Sequence, residues 1–364
     1  MFNPLGQDTN SPILTFDSQK TGQHIVLTCL NHGDEVIGLN SALEVLDIVK
    51  NTEQFVGKIT IFTCLNFEGF CQNSRFFQGE FLNGNVVPNL NREFPGNDNS
   101  YSAKTAKHVF DQILELKPDL VLDLHSYAHN SVIHTIIDRP GGEMEQNLIQ
   151  LCQNSSVPFY LEYEAESFAT QALDKSLSNQ LCLHKIPSLT IELGPSKGFS
   201  LRQSELAKIV LINFLVATGN LEQKLEQNTT QNLAKNKEKA ESNIANSDKK
   251  AGEITNQNKM ETETENSQNL AKIDLFEMQG TQIDQSKTYF RASVCNESNF
   301  GGMWRPIVEI GKLIEKGRFI AEVVNLHGQI VHRITMPESG FIIAFADEVV
   351  VYPMHQIATF IREI

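Results

Sequence analysis

The five residues Asn31-His32-Gly33-Asp34-Glu35 follow an apolar run and carry the strongest chemical signal in the chain. An imidazole and a carboxylate spaced i, i+3 at a strand-to-helix junction can converge on one metal ion, and Gly33 between them is expected to let the backbone turn sharply. A nitrogen and a carboxylate oxygen suit zinc, and a catalytic zinc takes three protein ligands and keeps an open position for water. The third donor fits at His125, which follows Val121-Leu122-Asp123-Leu124, because open α/β sheets place their sites at strand carboxyl ends. Asp123 shares the strand face of His125. It either accepts a hydrogen bond from a ligand histidine or is a capped or salt-bridged strand aspartate. Singly these patterns are common, and jointly they are selective. Hydrolysis also needs a base, and Glu192 in Thr190-Ile191-Glu192-Leu193 is the candidate. A carboxylate inside an apolar strand is costly to bury without a task or a partner, so Glu192 is either the general base or one half of a salt bridge. Asn91 and Arg92, in Asn89-Leu90-Asn91-Arg92-Glu93-Phe94-Pro95-Gly96, and Arg75, in the Gly/Asn/Phe-rich loop Asn73–Gly84, supply groups that fork onto carboxylates. Arginines near a zinc grip an anionic substrate or stabilise a developing oxyanion; otherwise they brace loops.

The elements that must position these residues alternate. Strands are expected at His24–Leu30, Lys58–Leu65, Leu120–Leu124, Ser131–Ile137 and Ser188–Leu193. Helices are expected at Glu35–Lys50, with Val36, Leu39, Ala42, Leu43, Leu46 and Val49 at helical spacing, at Ser102–Leu116, ended by Pro118, and at Ser204–Ala217. Such alternation indicates an α/β layer with a mostly buried sheet. From about Ile273 the texture is all-β, with glycines at Gly301–Gly302, Gly311, Gly317, Gly328 and Gly340 between short runs at Arg318–Val324, Gln329–Met336, Phe341–Phe345 and Gln356–Ile361. This argues for a small β-sandwich or barrel-like domain. Its hairpin rhythm is that of a lipoyl or biotinyl carrier, but no lysine follows Lys316, so a structural lid or oligomerisation role is the expectation. Between the two, Leu215–Leu275 holds no aromatic residue and no proline. The expected division is 1–220 as the α/β domain, 221–272 as a disordered low-complexity linker, and 273–364 as the all-β domain.

The 364 residues carry 44 acidic and 30 basic side chains, a formal net charge of −14. That disfavours nucleic acid and anionic membrane as partners, while leaving room for a small anionic substrate held by one or two local arginines. No uncharged apolar run approaches the roughly 20 residues that span a bilayer, and no basic start with an apolar block opens the chain, so no secretory signal is expected. The six cysteines, Cys29, Cys64, Cys71, Cys152, Cys182 and Cys295, show no CxxC spacing. They read as reduced thiols of a cytoplasmic protein. His24, His108, His134, His184, His327, His332 and His355 read as structural, His129 and Tyr127 as residues that could line the pocket, and Glu162, Glu164 and Glu166 as one solvated strand face or loop, with contact to a basic substrate as the alternative.

Four motifs in order, HGDE, NSRF…NLNREFPG, DLHS and TIELGPSKG, resemble the succinylglutamate desuccinylase/aspartoacylase family, a branch of the zinc carboxypeptidase-like (M14-type) hydrolases. The resemblance spans about residues 24–215, and the β-rich tail is similar to that family's second domain. It implies an α/β/α sandwich with a mixed sheet, and one zinc per subunit held by His32, Glu35 and His125. It further implies Glu192 as the catalytic glutamate, with Arg75, Asn91 and Arg92 as the substrate-carboxylate and carbonyl-polarising residues. Gly194-Pro195 and Gly198 match an aspartoacylase-like loop. Two positions depart: Asn89 stands where the family usually has Asp, which removes a negative group near the ligands, and Asn66-Phe67 stands where Asn-Pro is usual. The implied reaction is hydrolysis of a small anionic N-acyl amino acid, with Arg92 or Arg75 at the oxyanion and the remaining arginine on the carboxylate. A metallocarboxypeptidase, an esterase, and a non-catalytic metal-binding interaction protein are the alternatives. Homo-oligomerisation stays open.

Overall fold

The computed structural model describes residues 12–77, 87–128, 130–162, 172–194, 200–222, 281–284, 286–347 and 350–363. The expected linker beyond Glu222 lies outside the described residues, as do His129, Glu164, Glu166 and the loop residues Pro195 and Gly198. In chain order the first part runs β1 (Ile13–Asp17), β2 (His24–Cys29), α1 (Val36–Lys50), β3 (Lys58–Phe62), α2 (Phe67–Cys71), a 3-10 turn (Leu90–Arg92), α3 (Tyr101–Leu116), β4 (Leu120–His125), β5 (Asn130–Ser131), β6 (His134–Ile137), α4 (Gly142–Ser155), β7 (Phe159–Leu161), a second 3-10 turn (Leu173–Lys175), α5 (Leu177–Leu183), β8 (Ser188–Glu192) and α6 (Leu201–Ala217). The C-terminal part adds β9 (Tyr289–Cys295), β10 (Gly302–Pro306), β11 (Leu313–Ile314), β12 (Phe319–Val324), β13 (Ile330–Thr335), β14 (Gly340–Phe345), β15 (Val350–Val351) and β16 (Gln356–Glu363).

Period-2 alternation sorts the central strands into two faces. Ile25, Leu27 and Cys29 of β2, Leu120, Leu122 and Leu124 of β4, and Leu189 and Ile191 of β8 form one apolar layer with α1, α4 and α6. Val26, Phe62 and Val121 face the other way, against Ala106, Val109, Phe110 and Ile113 of α3 and Leu177 and Leu181 of α5. Helices thus cover both faces of a mixed sheet, the expected α/β/α arrangement. Each fully buried aliphatic side chain contributes about 1.5–3 kcal/mol. The polar residues in these strands fall on the α3/α5 face: Thr28 on β2, Asp123 and His125 on β4, and Thr190 and Glu192 on β8.

Several expected elements differ in extent. The strand expected over Ser131–Ile137 is two short pieces, because Val132 N–H leaves the line to bond Ile343 O at 2.9 Å. Leu43, in the expected apolar stripe of α1, is 40% exposed, and the stripe that packs runs through Ile37, Ala42, Val45, Leu46 and Val49. Helix α6 begins three residues earlier than expected, where Ser200 Oγ accepts from Gln203 N.

The C-terminal strands do not all stand apart. The larger sheet is 12-stranded and runs β1-β3-β2-β4-β8-β6-β7-β9-β16-β14-β11, with β5 on β14. Strand β9 joins it by parallel pairing, Leu161 opposite Phe290. The remaining four, β13-β12-β10-β15, form an antiparallel sheet. It encloses a second core that includes Trp304, Ile320, Val323, Ile342, Phe345, Ile357 and Phe360. No helix among the described residues is long and apolar enough to cross a membrane.

Candidate metal centre and active site

Strand β2 ends at Cys29, and Leu30 turns the chain with a φ of 55°. The segment Asn31–Glu35 then crosses the carboxyl ends of the sheet before α1 begins. Gly33, expected to supply the turn, is required for a different reason: a Cβ there would lie 2.0 Å from the Gly69 carbonyl carbon and 2.1 Å from Phe70 N. The segment is therefore pressed onto α2, which Asn66 caps through Oδ1 to Gly69 N at 2.8 Å. Gly33 N–H also bonds Ser74 O at 3.0 Å. This bracing puts His32 and Glu35, each 2% exposed, beside His125, 3% exposed, at the end of β4.

The three side chains meet at one point. His32 Nδ1 lies 2.8 Å from Glu35 Oε1, His125 Nδ1 lies 2.9 Å from Glu35 Oε2, and the two Nδ1 atoms are 3.1 Å apart. One donor atom from each falls within 4.8 Å of the others. Donors bound at about 2.0–2.1 Å in a tetrahedral site stand roughly 3.3–3.4 Å apart, so this set fits one small divalent cation. The opposite ring nitrogens support the same reading. His32 Nε2 lies 3.2 Å from Asn89 Oδ1, and His125 Nε2 lies 2.9 Å from Asp123 Oδ2. With a cation held at the shared point, each oxygen would accept the Nε2 proton and leave Nδ1 as the donor facing it. Asp123 is itself fixed by Thr28 Oγ1 at 2.6 Å and Asn31 Nδ2 at 3.2 Å. Asn89, where the resembled family usually has Asp, keeps the acceptor and forgoes only the charge.

Charge is arranged to match. Burial works against ionising Glu35, but His32 and His125 hold its carboxyl well below the usual range. Burial, with Arg75 adding to it, lowers His32 to about 4 and keeps it neutral. For His125, burial is outweighed by Asp123 and Glu35, which raise its pKa well above the usual imidazole value.

Glu192 sits directly across from His125 in the parallel β4–β8 register, 8% exposed. Its Oε2 has no hydrogen-bond partner among the described residues. Burial and then, in the same sense, Glu35 raise its pKa to about 7 against the pull of His125, Arg75 and Arg291. A salt-bridged strand glutamate, the other expectation for this residue, would show a pair partner, and none is found among the described residues.

The arginines divide. Arg75 Nη1 reaches the donor cluster itself, 2.8 Å from Glu35 Oε1 and 3.1 Å from His32 Nδ1, with its side chain 40% exposed. Arg92 lies deeper: its Nη1 bonds Asn91 O at 2.6 Å, and burial, then Arg75, lower its pKa to about 10 against the pull of Asp138 and Glu162. Asn91 Oδ1 is committed to Leu177 N at the start of α5, at 2.9 Å, and its Nδ2 stands 3.4 Å from His125 Nε2.

Three residues that the sequence did not mark as functional stand on the same face. His134 is opposite Glu192 on its other flank. Asp138 is half-buried and accepts a hydrogen bond from Ser178 Oγ. Glu162, expected on a solvated face, is 2% exposed and ion-paired to Arg291 of β9 at 3.2 Å. The signals available for them were weak: one histidine opening β6 and one arginine far downstream. All six cysteines are unpaired, as expected, although Cys71 is exposed.

A family model described as the succinylglutamate desuccinylase/aspartoacylase catalytic domain matches residues 21–217. No curated protein matches the chain. Among solved structures, the product-bound ectoine utilization protein EutE (DoeB) from Ruegeria pomeroyi is 19% identical, with a TM-score of 0.65 over 96% of this chain and 88% of its own. A succinylglutamate desuccinylase from Silicibacter sp. TM1040 is 18% identical, with a TM-score of 0.64 over 97% and 88%. A succinylglutamate desuccinylase/aspartoacylase from Rhodobacter sphaeroides is 14% identical, with a TM-score of 0.64 over 97% and 90%. At these identities the likeness is one of fold.

Proposed function

The chain belongs to the succinylglutamate desuccinylase/aspartoacylase family, and from that premise we propose that it is a zinc-dependent hydrolase cleaving the amide bond of a small anionic N-acyl amino acid. The observation that carries the reading is the paired orientation of His32 and His125. Both set Nε2 beside a side-chain oxygen and turn Nδ1 to a common point with Glu35. His32, Glu35 and His125 would hold the zinc, which when bound acidifies the attacking water and polarises the scissile carbonyl.

The chain's own residues do the rest. Glu192 accepts the proton of the attacking water and delivers it to the leaving amino nitrogen. Its pKa of about 7 suits both steps near neutral pH. Arg75 is the arginine that reaches the donor cluster, so it stabilises charge developing on the carbonyl oxygen. Arg92, deeper and beside Asn91, grips the substrate carboxylate. The products are a carboxylic acid and a free amino acid.

The test is free-amine release from N-acetyl, N-succinyl and N-formyl amino acids by zinc-loaded protein, beside the Glu192→Gln variant. Release from one substrate group, reduced about 100-fold or more in the variant while zinc is retained, supports the assignment. Near-normal turnover in the variant removes Glu192 from the mechanism, and no release from any substrate refutes the deacylase reading.

A further inference from the structure

The polar row on the site face does not stop at Glu192. Strand β6 places His134 opposite Glu192, as β4 places His125 on its other side, and residues directly opposite on neighbouring strands share a face. His134 is 2% exposed. Its Nδ1 lies 2.9 Å from Val132 O. A carbonyl oxygen only accepts, so Nδ1 carries the proton and Nε2 is a lone pair. That Nε2 is buried with no hydrogen-bond partner among the described residues. The ring is held in place by two tyrosines: Tyr127 at 6.0 Å between centroids and 88°, and Tyr160 at 5.3 Å and 31°. Tyr127 is anchored in turn, its hydroxyl 2.9 Å from Thr359 Oγ1 of β16. Burial lowers the His134 pKa to about 4, which keeps the imidazole neutral.

A fixed, neutral, buried acceptor with nothing to accept marks a place where a donor is meant to arrive. We propose that His134 Nε2 accepts the N–H of the scissile amide, and that this contact makes the site select amides over the matching esters. The inference rests on the amide-hydrolase reading above. The atom that receives the Glu192 proton is the leaving nitrogen, so that nitrogen must lie within hydrogen-bond reach of Glu192. Its own N–H, stripped of water on entry, then needs an acceptor beside Glu192, and His134 stands there. With the N–H held by His134, the lone pair that localises on nitrogen once the carbonyl carbon becomes tetrahedral is turned toward Glu192, which protonates it as the C–N bond breaks. An ester oxygen in the same place brings lone pairs against the Nε2 lone pair and leaves it unmet, the situation in which a polar pocket discriminates best. His134 neither gains nor loses a proton.

The experiment compares an N-acetyl amino acid with its O-acetyl hydroxy-acid isostere on three zinc-loaded proteins: wild type, His134→Phe and His134→Gln. His134→Phe keeps a flat ring between Tyr127 and Tyr160 and removes the acceptor, while His134→Gln restores an accepting oxygen. The expected result is a loss of about 10- to 100-fold in kcat/KM on the amide for His134→Phe, a change within about threefold on the ester, and partial recovery on the amide for His134→Gln. An equal loss on both substrates, or no loss on the amide, overturns the proposal. A binding readout separates this outcome from the function itself. In metal-free wild-type protein labelled with 15N-histidine, the His134 Nε2 resonance should shift when the N-acetyl amino acid is added and stay put with the ester. If wild type turns over no amide, the deacylase reading fails by itself, and an unmoved resonance then refutes the role of His134.

Discussion

His32 and His125 reach the same arrangement from different elements, each with a side-chain oxygen beside Nε2 and with Nδ1 turned to the shared point. The holding groups can therefore be tested apart from the ligands. Asp123→Asn keeps the size of the partner and removes its charge, and it should weaken zinc binding about 10- to 100-fold, read by competition against a chelator. The two arginines make opposite kinetic predictions. Arg75→Ala should lower kcat with a smaller effect on KM, and Arg92→Ala should raise KM for acidic substrates; the reverse pattern would exchange their roles. Asp138 makes a prediction about pH. Burial, with Glu162 and Asp123 adding to it, raises its pKa to about 7 against the Ser178 hydrogen bond and Arg92. The unfolded chain loses this proton near the ordinary aspartate value and the folded one holds it, so stability falls as pH rises between about 4 and 7. Asp138→Asn removes that loss. Its stability relative to wild type should climb across this window by a few kcal/mol and level off above pH 7, measured by urea unfolding. Residues of this kind were legible when their partners were sequence neighbours. His32 with Glu35, and Asp123 with His125, announce themselves by spacing, and Glu192 by being an acid in an apolar strand. His134 and Glu162 did not, because what defines them is a backbone carbonyl, a strand paired across the sheet, and an arginine 129 positions away.

Among the elements, the segment between β2 and α1 is the most constrained. It has no regular structure of its own, and its position is set by contact with α2 at Gly33 and Gly69. Gly33→Ala should push the two backbones apart, displace His32 and Glu35, and abolish tight zinc binding, with a loss of stability readable in thermal unfolding in zinc-free buffer as well. An unchanged zinc affinity would show that α2 yields instead. The sequence marked this glycine and misjudged its reason, since a close approach to a distant backbone leaves no local trace. The same limit explains which elements were missed. Helix α4 buries little beyond Leu148, Cys152 and Ser155 and so lacks a readable stripe. Strand β1 is half exposed along its length. Strands β2 and β4 were legible because burial on both faces gives them near-continuous apolar runs, and β8 because Leu189 and Ile191 alternate with polar residues.

At the scale of the whole molecule, the face that carries the candidate site is bordered by residues from both ends of the chain. Strand β9 continues the sheet beyond β7, and Arg291 on it pairs with buried Glu162. Arg291→Ala removes the cation from a buried carboxylate and should cost about 3–5 kcal/mol in chemical unfolding, most of it regained when Glu162→Leu is added. A loss confined to the C-terminal strands, with the metal-binding part melting as before, would show that the two regions unfold separately. None of this joining was legible, because β7 and β9 are short or irregularly patterned and the pairing between them crosses the low-complexity stretch. Strand order has a further consequence during synthesis. The three cation donors are all made by residue 125, and β6 and β7 follow them off the ribosome, whereas β8 comes later and must insert between β4 and β6. Its arrival brings Glu192 against His125 and His134 in one step. On the proposed function, a nascent chain that folds from its N-terminus would therefore complete its cation donors before it owns a base, and would stay inert toward amides until the centre of the sheet has closed.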